Sequence, residues 1–428
     1  MKVLTVYPYS AYPLDHGGKI RGHQILEAIA ASHSVHFVAI GSEADQLAAR
    51  EWPLAKKFSG TIIVDAHRRE ELTPEAARLR NHQPNPLIGR PSWMRRRDLP
   101  QLWNALAGLP LQDFDFIHAR NLHIAPYALA IGAAHPRKKL LLDLDDIASI
   151  LALRGIRSQR LPWWSRWRAQ SYLDFLRMRS YERRYLNGFD SVWVCSEQDQ
   201  KIIGNWIGAQ RAAVVPNVTD ADSFAQAREA KRTEPIIILV GNFAMEPNAI
   251  GARFFYDKIW PHVIERVPQA RLWLVGREPQ PELRALDGHN GVSVFGSVPD
   301  VKPYLGQASV AVAPLLVGAG TRVKILESFA AGVPVVSTAV GAEGIAVTNG
   351  KDIFIADDPA KFADGCVRLL TDTTLHQQMR AAAFDLIQRQ YNVTTLRKAV
   401  LDCYAQISPG GPSLPASGQG CTGQQTLT

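Results

Sequence analysis

The stretch P-L-L-V-G-A-G-T-R-V-K-I-L-E-S-F-A-A-G-V-P-V-V-S-T, Pro314 to Thr338, reads as strand end, glycine turn, short helix, second turn and buried strand. Gly318 and Gly320 permit a tight turn and a close backbone approach to a ligand. Thr321 is a good N-cap for a helix from Val323 to Ala331, and Gly332 supplies the stop. Val333 to Val336 is then a short apolar strand. A helix that starts from such a turn offers free N–H groups and the positive end of its dipole, which suits a phosphate. Arg322 and Lys324 add two full charges at that end. Glu327 lies about 9 Å further along the helix at 1.5 Å per residue, roughly the reach from a diphosphate to the ribose of one nucleotide. The plainer reading of the same residues is a buried crossover whose Arg, Lys and Glu form surface ion pairs.

Around this stretch the chain alternates strands and helices. Strands are expected at Val3–Tyr7, Val35–Ile40, Thr61–Val64, Phe114–His118, Lys139–Leu142, Ser191–Val194 and Ala212–Val215. Helices such as Lys19–Ala31, His123–Ala134 and Gln198–Trp206 lie between them. A second series follows at Ile236–Val240, Arg271–Val275, Val292–Phe295, Val310–Ala313, Val333–Val336 and Ile353–Ala356, and Leu369–Ile407 reads as two helices. Alternation at this spacing implies an α/β protein of parallel sheets with helices on both faces, whose ligands sit beyond the carboxyl ends of the strands. Residues 1–218 form the first expected domain, 219–235 a polar linker and 236–390 the second domain. A last helix occupies 391–408, and the tail 409–428 has too few apolar groups to order itself.

At 428 residues the chain is long enough for two or three domains with full cores, and its apolar and charged fractions, 46% and 21%, are those of an ordinary globular protein. Cys195, Cys366, Cys403 and Cys421 show no zinc or redox spacing, so reduced thiols and a cytoplasmic location are expected. No apolar run approaches a membrane span, and M-K-V-L-T-V-Y-P-Y at the N-terminus turns polar too quickly for a signal peptide.

The least ordinary composition lies between Leu151 and Leu186, where nine arginines stand against Asp174 and Glu182, a net +7 within a chain of net +8. Trp163, Trp164, Trp167, Tyr172 and Phe175 are interleaved with them. Such a basic aromatic segment, Arg154 to Arg184, suits an anionic membrane surface or an anionic acceptor, and equally a solvated arginine face with its aromatics packed inward. Nucleic acid would match the charge, but no nucleic-acid module accompanies it, so no nucleic-acid partner is expected.

Three strand ends in the first half carry candidate chemistry. His16-Gly17-Gly18-Lys19 follows the first strand, and His118 and Arg120 close the fourth in D-F-I-H-A-R. Asp143, Asp145 and Asp146 follow the fifth, where Asp146 also fits as the cap of the next helix.

With these residues in hand, T-R-V-K-I-L-E-S-F-A-A-G-V-P-V-V resembles the donor-site helix of the retaining glycosyltransferases of family 4, which have the GT-B fold. The G-x-G-T-R-x-K form resembles a branch often tied to exopolysaccharide synthesis. V-V-P-N-V at Val214 to Val218 resembles the segment that closes the family's first domain, and L-V-G-N-F-A-M-E-P-N at Leu239 to Asn248 resembles the opening of its donor domain. The resemblance covers nearly all of the chain to about Ser408. It implies two Rossmann-like, doubly wound domains facing a central cleft, with the last helix crossing back to the first domain.

The function implied is transfer of a sugar from a nucleotide-diphosphate-sugar donor to a hydroxyl acceptor with retention. The acceptor would be a glycan or a lipid-linked sugar in surface polysaccharide or glycolipid synthesis. The site implied combines Gly17, Gly18, Asn242, Gly276, Gly296, Gly318, Ala319, Gly320, Thr321 and Glu327 around the donor, with His118 beside the reacting sugar. Arg322 and Lys324 replace the Arg and Lys that most members carry after the strand ending at Val240. Asp143, Asp145 and Arg120 fall on the acceptor side; the D-x-D spacing is like metal motifs of the other large transferase fold, but GT-B enzymes imply no metal and no cofactor. The enzyme would work in the cytoplasm, peripheral at the inner membrane face. Ala319 stands where the family usually has the first of two glutamates, which leaves two alternatives: a nucleotide-sugar 2-epimerase on the same fold, or a binding protein without activity.

Overall fold

The computed structural model describes residues 1–14, 17–84, 98–158, 166–318 and 322–408. Its first sheet contains β1 (Lys2–Tyr7), β2 (Ser34–Gly41), β3 (Gly60–Asp65), β4 (Phe116–Arg120), β5 (Lys139–Asp143), β6 (Ser191–Val194) and β7 (Ala212–Val214). Its second contains β8 (Ile236–Val240), β9 (Arg271–Val275), β10 (Val292–Phe295), β11 (Val310–Ala313), β12 (Val335–Ser337) and β13 (Phe354–Ile355). The strand orders are β3-β2-β1-β4-β5-β6-β7 and β10-β9-β8-β11-β12-β13, and the ladders are parallel. Most strands fall within one residue of the sequence expectation. The exceptions are β4 and β12, which each start two residues late.

Burial on both faces explains why continuous apolar runs marked these strands. On the first sheet Leu4, Val6, Ile117, Leu140, Leu142 and Val192 face one core, while Val3, Tyr7, Phe116, Leu141 and Trp193 face another. The second sheet divides alike, with Ile237, Leu239 and Leu272 on one side and Ile236, Ile238 and Val335 on the other.

Both sheets reverse direction at one place. The first grows from β1 to β3 and then restarts at β4 on the other side of β1; the second grows from β8 to β10 and restarts at β11 beside β8. At such a switch point the two flanking loops diverge and leave a crevice for a ligand. The quoted stretch begins at the end of β11, so its glycine turn sits at the switch point of the second sheet.

The helix Val393–Ile407 lies on the first domain. Asn392 Oδ1 accepts from Thr395 N at 2.8 Å to cap it. Leu396, Val400, Cys403 and Tyr404, on one helical face, are buried among Tyr7, Ile25 and Phe116. Residues 219–235 are not a free linker. Asp222–Phe224 and Ala225–Glu229 are short helical turns. Phe224 and Ala227 enter the core of the second domain, and Arg232 donates to the carbonyls of Ala308 and Ala331 at 2.7 and 2.8 Å. The tail 409–428 lies outside the described residues.

Candidate functional site

The donor-side helix runs from Val323 to Ala330, and Gly332 at φ +66° ends it as expected. Thr321, with Ala319 and Gly320, lies outside the described residues; the cap position belongs to Arg322, extended at φ −85° and ψ 93° and making no side-chain cap bond. Arg322 thus leaves the first N–H groups of this helix without a bond from its own side chain, and a helix start of this kind suits an anion. A Cβ on Gly318 would run into the Arg322 guanidinium, so that side chain lies against the turn itself. Burial pulls the Arg322 pKa down, opposed by the nearby carboxylates Asp146 and Glu343.

Lys324 is held from another element. Its Nζ donates to Asn248 Oδ1 at 2.8 Å, and Asn248 Nδ2 donates to the Asn242 carbonyl at 2.8 Å. Burial, with Arg322 adding repulsion, brings its pKa down to about 8. Glu327, one turn on, is raised to about 7 by burial against the opposing pull of Lys324 and Lys302. Gly241, Gly276 and Gly296 line up at the carboxyl ends of β8, β9 and β10, where Gly241 N donates to Val275 O at 3.0 Å and Gly276 N to Phe295 O at 3.2 Å. Gly276 has φ +151°, and a Cβ there would strike the Gly241 carbonyl, so glycine is required. Gly296 has open space around its missing Cβ and carries no such requirement.

Across the cleft, Gly17 and Gly18 open the helix Gly17–Ala30. A Cβ on Gly17 would come 3.6 Å from Val323 Cγ2, which sets the glycine loop directly opposite the start of the donor-side helix. The Gly18 carbonyl accepts from Arg120 Nη2 at 3.1 Å.

Arg120 and Asp143, expected on the acceptor side, are packed together in the interior. Arg120 and Asp143 have no exposed surface. Asp143 is bound by Arg120 and by Arg21, whose Nη2 lies 2.5 Å from Asp143 Oδ1. Arg21 Nη1 also donates to Val215 O at 2.8 Å and Asn217 Oδ1 at 3.1 Å. Two guanidiniums hold the Asp143 carboxyl below the usual carboxylate range despite burial. Both Asp143 oxygens are thus occupied, and the D-x-D pair serves a buried charge network. Asp145, 27% exposed and bound to Arg120 Nη2 at 2.6 Å, is the member that reaches solvent.

His118, expected beside the reacting sugar, is also an interior residue. It is fully buried on the sheet face covered by Val393–Ile407, with Nδ1 2.8 Å from Tyr404 Oη and the Trp193 ring edge-on at 4.7 Å. Burial lowers its pKa to about 4, so it is neutral at ordinary pH.

The basic segment divides into two helices, Ala148–Ser158 and Arg166–Leu186, with Arg160, Trp163 and Trp164 outside the described residues. Arg154 does not face outward. It spans the cleft, donating to the Gly318 carbonyl at 2.6 Å and, through both terminal nitrogens, to Glu343 at 2.5 Å; Gln198 Nε2 donates to the same carboxylate at 2.9 Å. Arg179 and Arg183 lie over the Trp206 ring, each 5.6 Å from its centroid. The outward apolar groups are Trp167, 77% exposed, with Tyr172, Leu173 and Leu176. Asp146 opens on the cleft, and crowding by the surrounding protein, then by Asp145, raises it to about 6.

Sequence reasoning missed Asn248, Arg21, Arg154 and Glu343. Each acts through a partner at least 76 positions away, so no local spacing could have flagged it.

Two facing α/β domains, each with its switch point on the cleft, are the arrangement of known transferases. The fold is GT-B. A structure of Anabaena Alr3699/HepE in complex with UDP and glucose superposes with a TM-score of 0.62 at 15% identity, covering 95% of this chain and all of that one. Residues 234–372 match the family model of group 1 glycosyl transferases. A Klebsiella pneumoniae protein described as an uncharacterized 44.6 kDa protein in the cps region is 27% identical over 36% of this chain and 42% of its own length. A phosphatidyl-myo-inositol mannosyltransferase of Mycobacterium leprae is 26% identical over 47% of this chain and 55% of its own. The chain thus spans about half the length of the curated relatives it matches.

Proposed function

We propose that this GT-B protein is a retaining glycosyltransferase that moves a sugar from a nucleotide-diphosphate-sugar to a hydroxyl acceptor in surface polysaccharide or glycolipid synthesis. The observation that carries the reading is the start of Val323–Ala330, where the cap residue Arg322 makes no side-chain cap bond. Arg322 and Lys324 flank it, and Gly17 lies in contact range across the cleft. As the glycosidic bond breaks, negative charge grows on the leaving diphosphate. Cations and helix N–H groups already in place stabilise that charge without reorganising. Glu327, one turn behind, is set to accept from the ribose hydroxyls. The leaving phosphate itself can take the acceptor's proton, so the scheme asks no proton transfer of the buried His118. No metal or cofactor is required by this scheme. The UDP held by the Anabaena relative, the mannosyltransferase of M. leprae and the cps-region protein of Klebsiella support a nucleotide-sugar donor and an envelope glycan product.

Mass spectrometry of nucleotide sugars retained by the purified protein, followed by turnover with that donor and NMR of the product anomer, tests the reading. Transfer with retention is expected. Epimerisation of the donor without an acceptor, or tight donor binding with no turnover on a broad acceptor panel, would refute it.

The acceptor side includes the membrane. No helix among the described residues is long and apolar enough to cross a bilayer, so contact would be peripheral. Trp167, Tyr172, Leu173 and Leu176 project from the first half of Arg166–Leu186 beside the exposed Arg166. Each basic residue near an anionic bilayer adds about 1 kcal/mol, screened within a Debye length of roughly 8 Å. Salt-sensitive co-sedimentation with anionic and not neutral liposomes is expected; equal binding to both, or to neither, would leave this helix face a solvated surface.

A further inference from the structure

We infer that Asn248 is a positioning residue that fixes the Lys324 ammonium in the donor-phosphate site and keeps its charge uncompensated for the incoming diphosphate. The inference rests on the reading of Lys324 given above.

A long lysine side chain in a crowded site has four torsions to freeze before its charge sits at one point, and most of that freedom must be removed by a neighbour. Here the neighbour is itself held. The Asn248 amide is tied on its nitrogen side to the Asn242 carbonyl, which turns its oxygen toward Lys324. Asn242 Oδ1 in turn accepts from Ala244 N at 3.0 Å, closing the loop that follows β8. Gly241 completes the cradle: a Cβ there would lie 3.2 Å from Lys324 Nζ and 3.2 Å from Asn248 Cγ, too close for either to keep its place. Three elements therefore converge on one nitrogen: the end of β8, the first turn of Glu246–Phe254 and the donor-side helix.

The chemistry of the partner matters as much as its place. A carboxylate at position 248 would pair with the ammonium and cancel the charge the diphosphate needs. An amide oxygen orients the ammonium without neutralising it and leaves two of its three N–H bonds for phosphate oxygens. The charged groups acting on Lys324 are Arg322 and Glu327, both from its own segment, while β8 and Glu246–Phe254 present Gly241 and Asn248, neither of them charged. With burial and Arg322 both disfavouring the proton, the ammonium loses charge in the mildly alkaline range. That gives the site a pH limb through which Asn248 can be read.

The experiment measures UDP binding by calorimetry from pH 6.5 to 10, with thermal melting as the fold control, for the intact protein and for Asn248→Ala, Asn248→Asp and Lys324→Ala. Asn248→Ala is expected to weaken UDP by about tenfold to a hundredfold, the scale for misplacing a positioned group. Asn248→Asp is expected to weaken it too, and to move the alkaline limb up by about one pH unit or more, because a carboxylate this close stabilises the charged lysine. A merely structural asparagine would not move that limb. If Lys324→Ala loses affinity while the Asn248→Asp limb stays with that of the intact protein, the proposal falls and the reading of Lys324 stands. If Lys324→Ala binds UDP unchanged, both fall.

Discussion

Lys324 should cost the empty protein stability, and the cost can be read by removing it. Its proton affinity falls from an ordinary pKa of 10.5 to about 8, chiefly through burial. A tenfold change in proton affinity is about 1.4 kcal/mol, so the charged form is disfavoured by at most about 3.5 kcal/mol. Because the side chain is only partly buried and gains the Asn248 bond, we expect about 1–2 kcal/mol to survive solvent screening. Lys324→Met, of similar length and without charge, should therefore raise the melting temperature of the ligand-free protein by roughly 2–8 °C at pH 7. Turnover should fall about 10²–10³-fold, as for loss of one transition-state donor.

The sign can be checked with pH. Below pH 8 the lysine is charged in both folded and unfolded chains, and the penalty is complete. Between about 8 and 10.5 the folded chain sheds the proton first and the penalty fades; above 10.5 none remains. The gap between Lys324→Met and the unaltered protein should close over that window in differential scanning calorimetry. A gap that keeps its size to pH 10.5 would mean the methionine gained by packing, and the buried-charge reasoning would be refuted.

Asp143→Ala should be severely destabilising, by about 3–5 kcal/mol in urea titrations, because it strands the buried Arg21 and Arg120 guanidiniums. Gly276→Ala should unfold or loosen the second domain, seen as early proteolysis, since both its φ and the Gly241 carbonyl exclude a side chain. Arg154→Ala and Glu343→Gln should each widen the ligand-free cleft, measured as a larger radius of gyration by X-ray scattering, and the double variant should add little to either. Their effect should shrink when UDP bridges the domains.

The strands were legible because parallel strands buried on both faces leave continuous apolar runs, and the donor-side helix because Gly332 and the cluster of Arg322 and Lys324 are local signals. The side-chain surroundings that were not legible share one physical cause. Asp143 and Asp145 have the spacing of a metal or acceptor motif, yet spacing says nothing of Arg21, 122 positions earlier in the chain, whose guanidinium claims the same carboxylate. His118 sits in the middle of a strand whose alternation makes it face the returning helix, and only the docking of Tyr404, 286 positions on, decides what its imidazole meets. Arg154 looked like one more cation of a basic surface until folding brought Glu343 and the Gly318 carbonyl to it. A charged side chain costs too much to bury alone, so its role is set by whichever opposite charge or carbonyl the topology delivers. In this chain the switch points deliver them. The β1/β4 crevice gathers Arg21 and Arg120 with Asp143 and Asp145 into a charge-balanced network that props the Gly18 carbonyl, while the β8/β11 crevice leaves Lys324 with an amide as its hydrogen-bond partner. The first arrangement ties a loop carbonyl to paired charges, and the second bonds an ammonium to a neutral amide, the difference on which the proposed donor site rests.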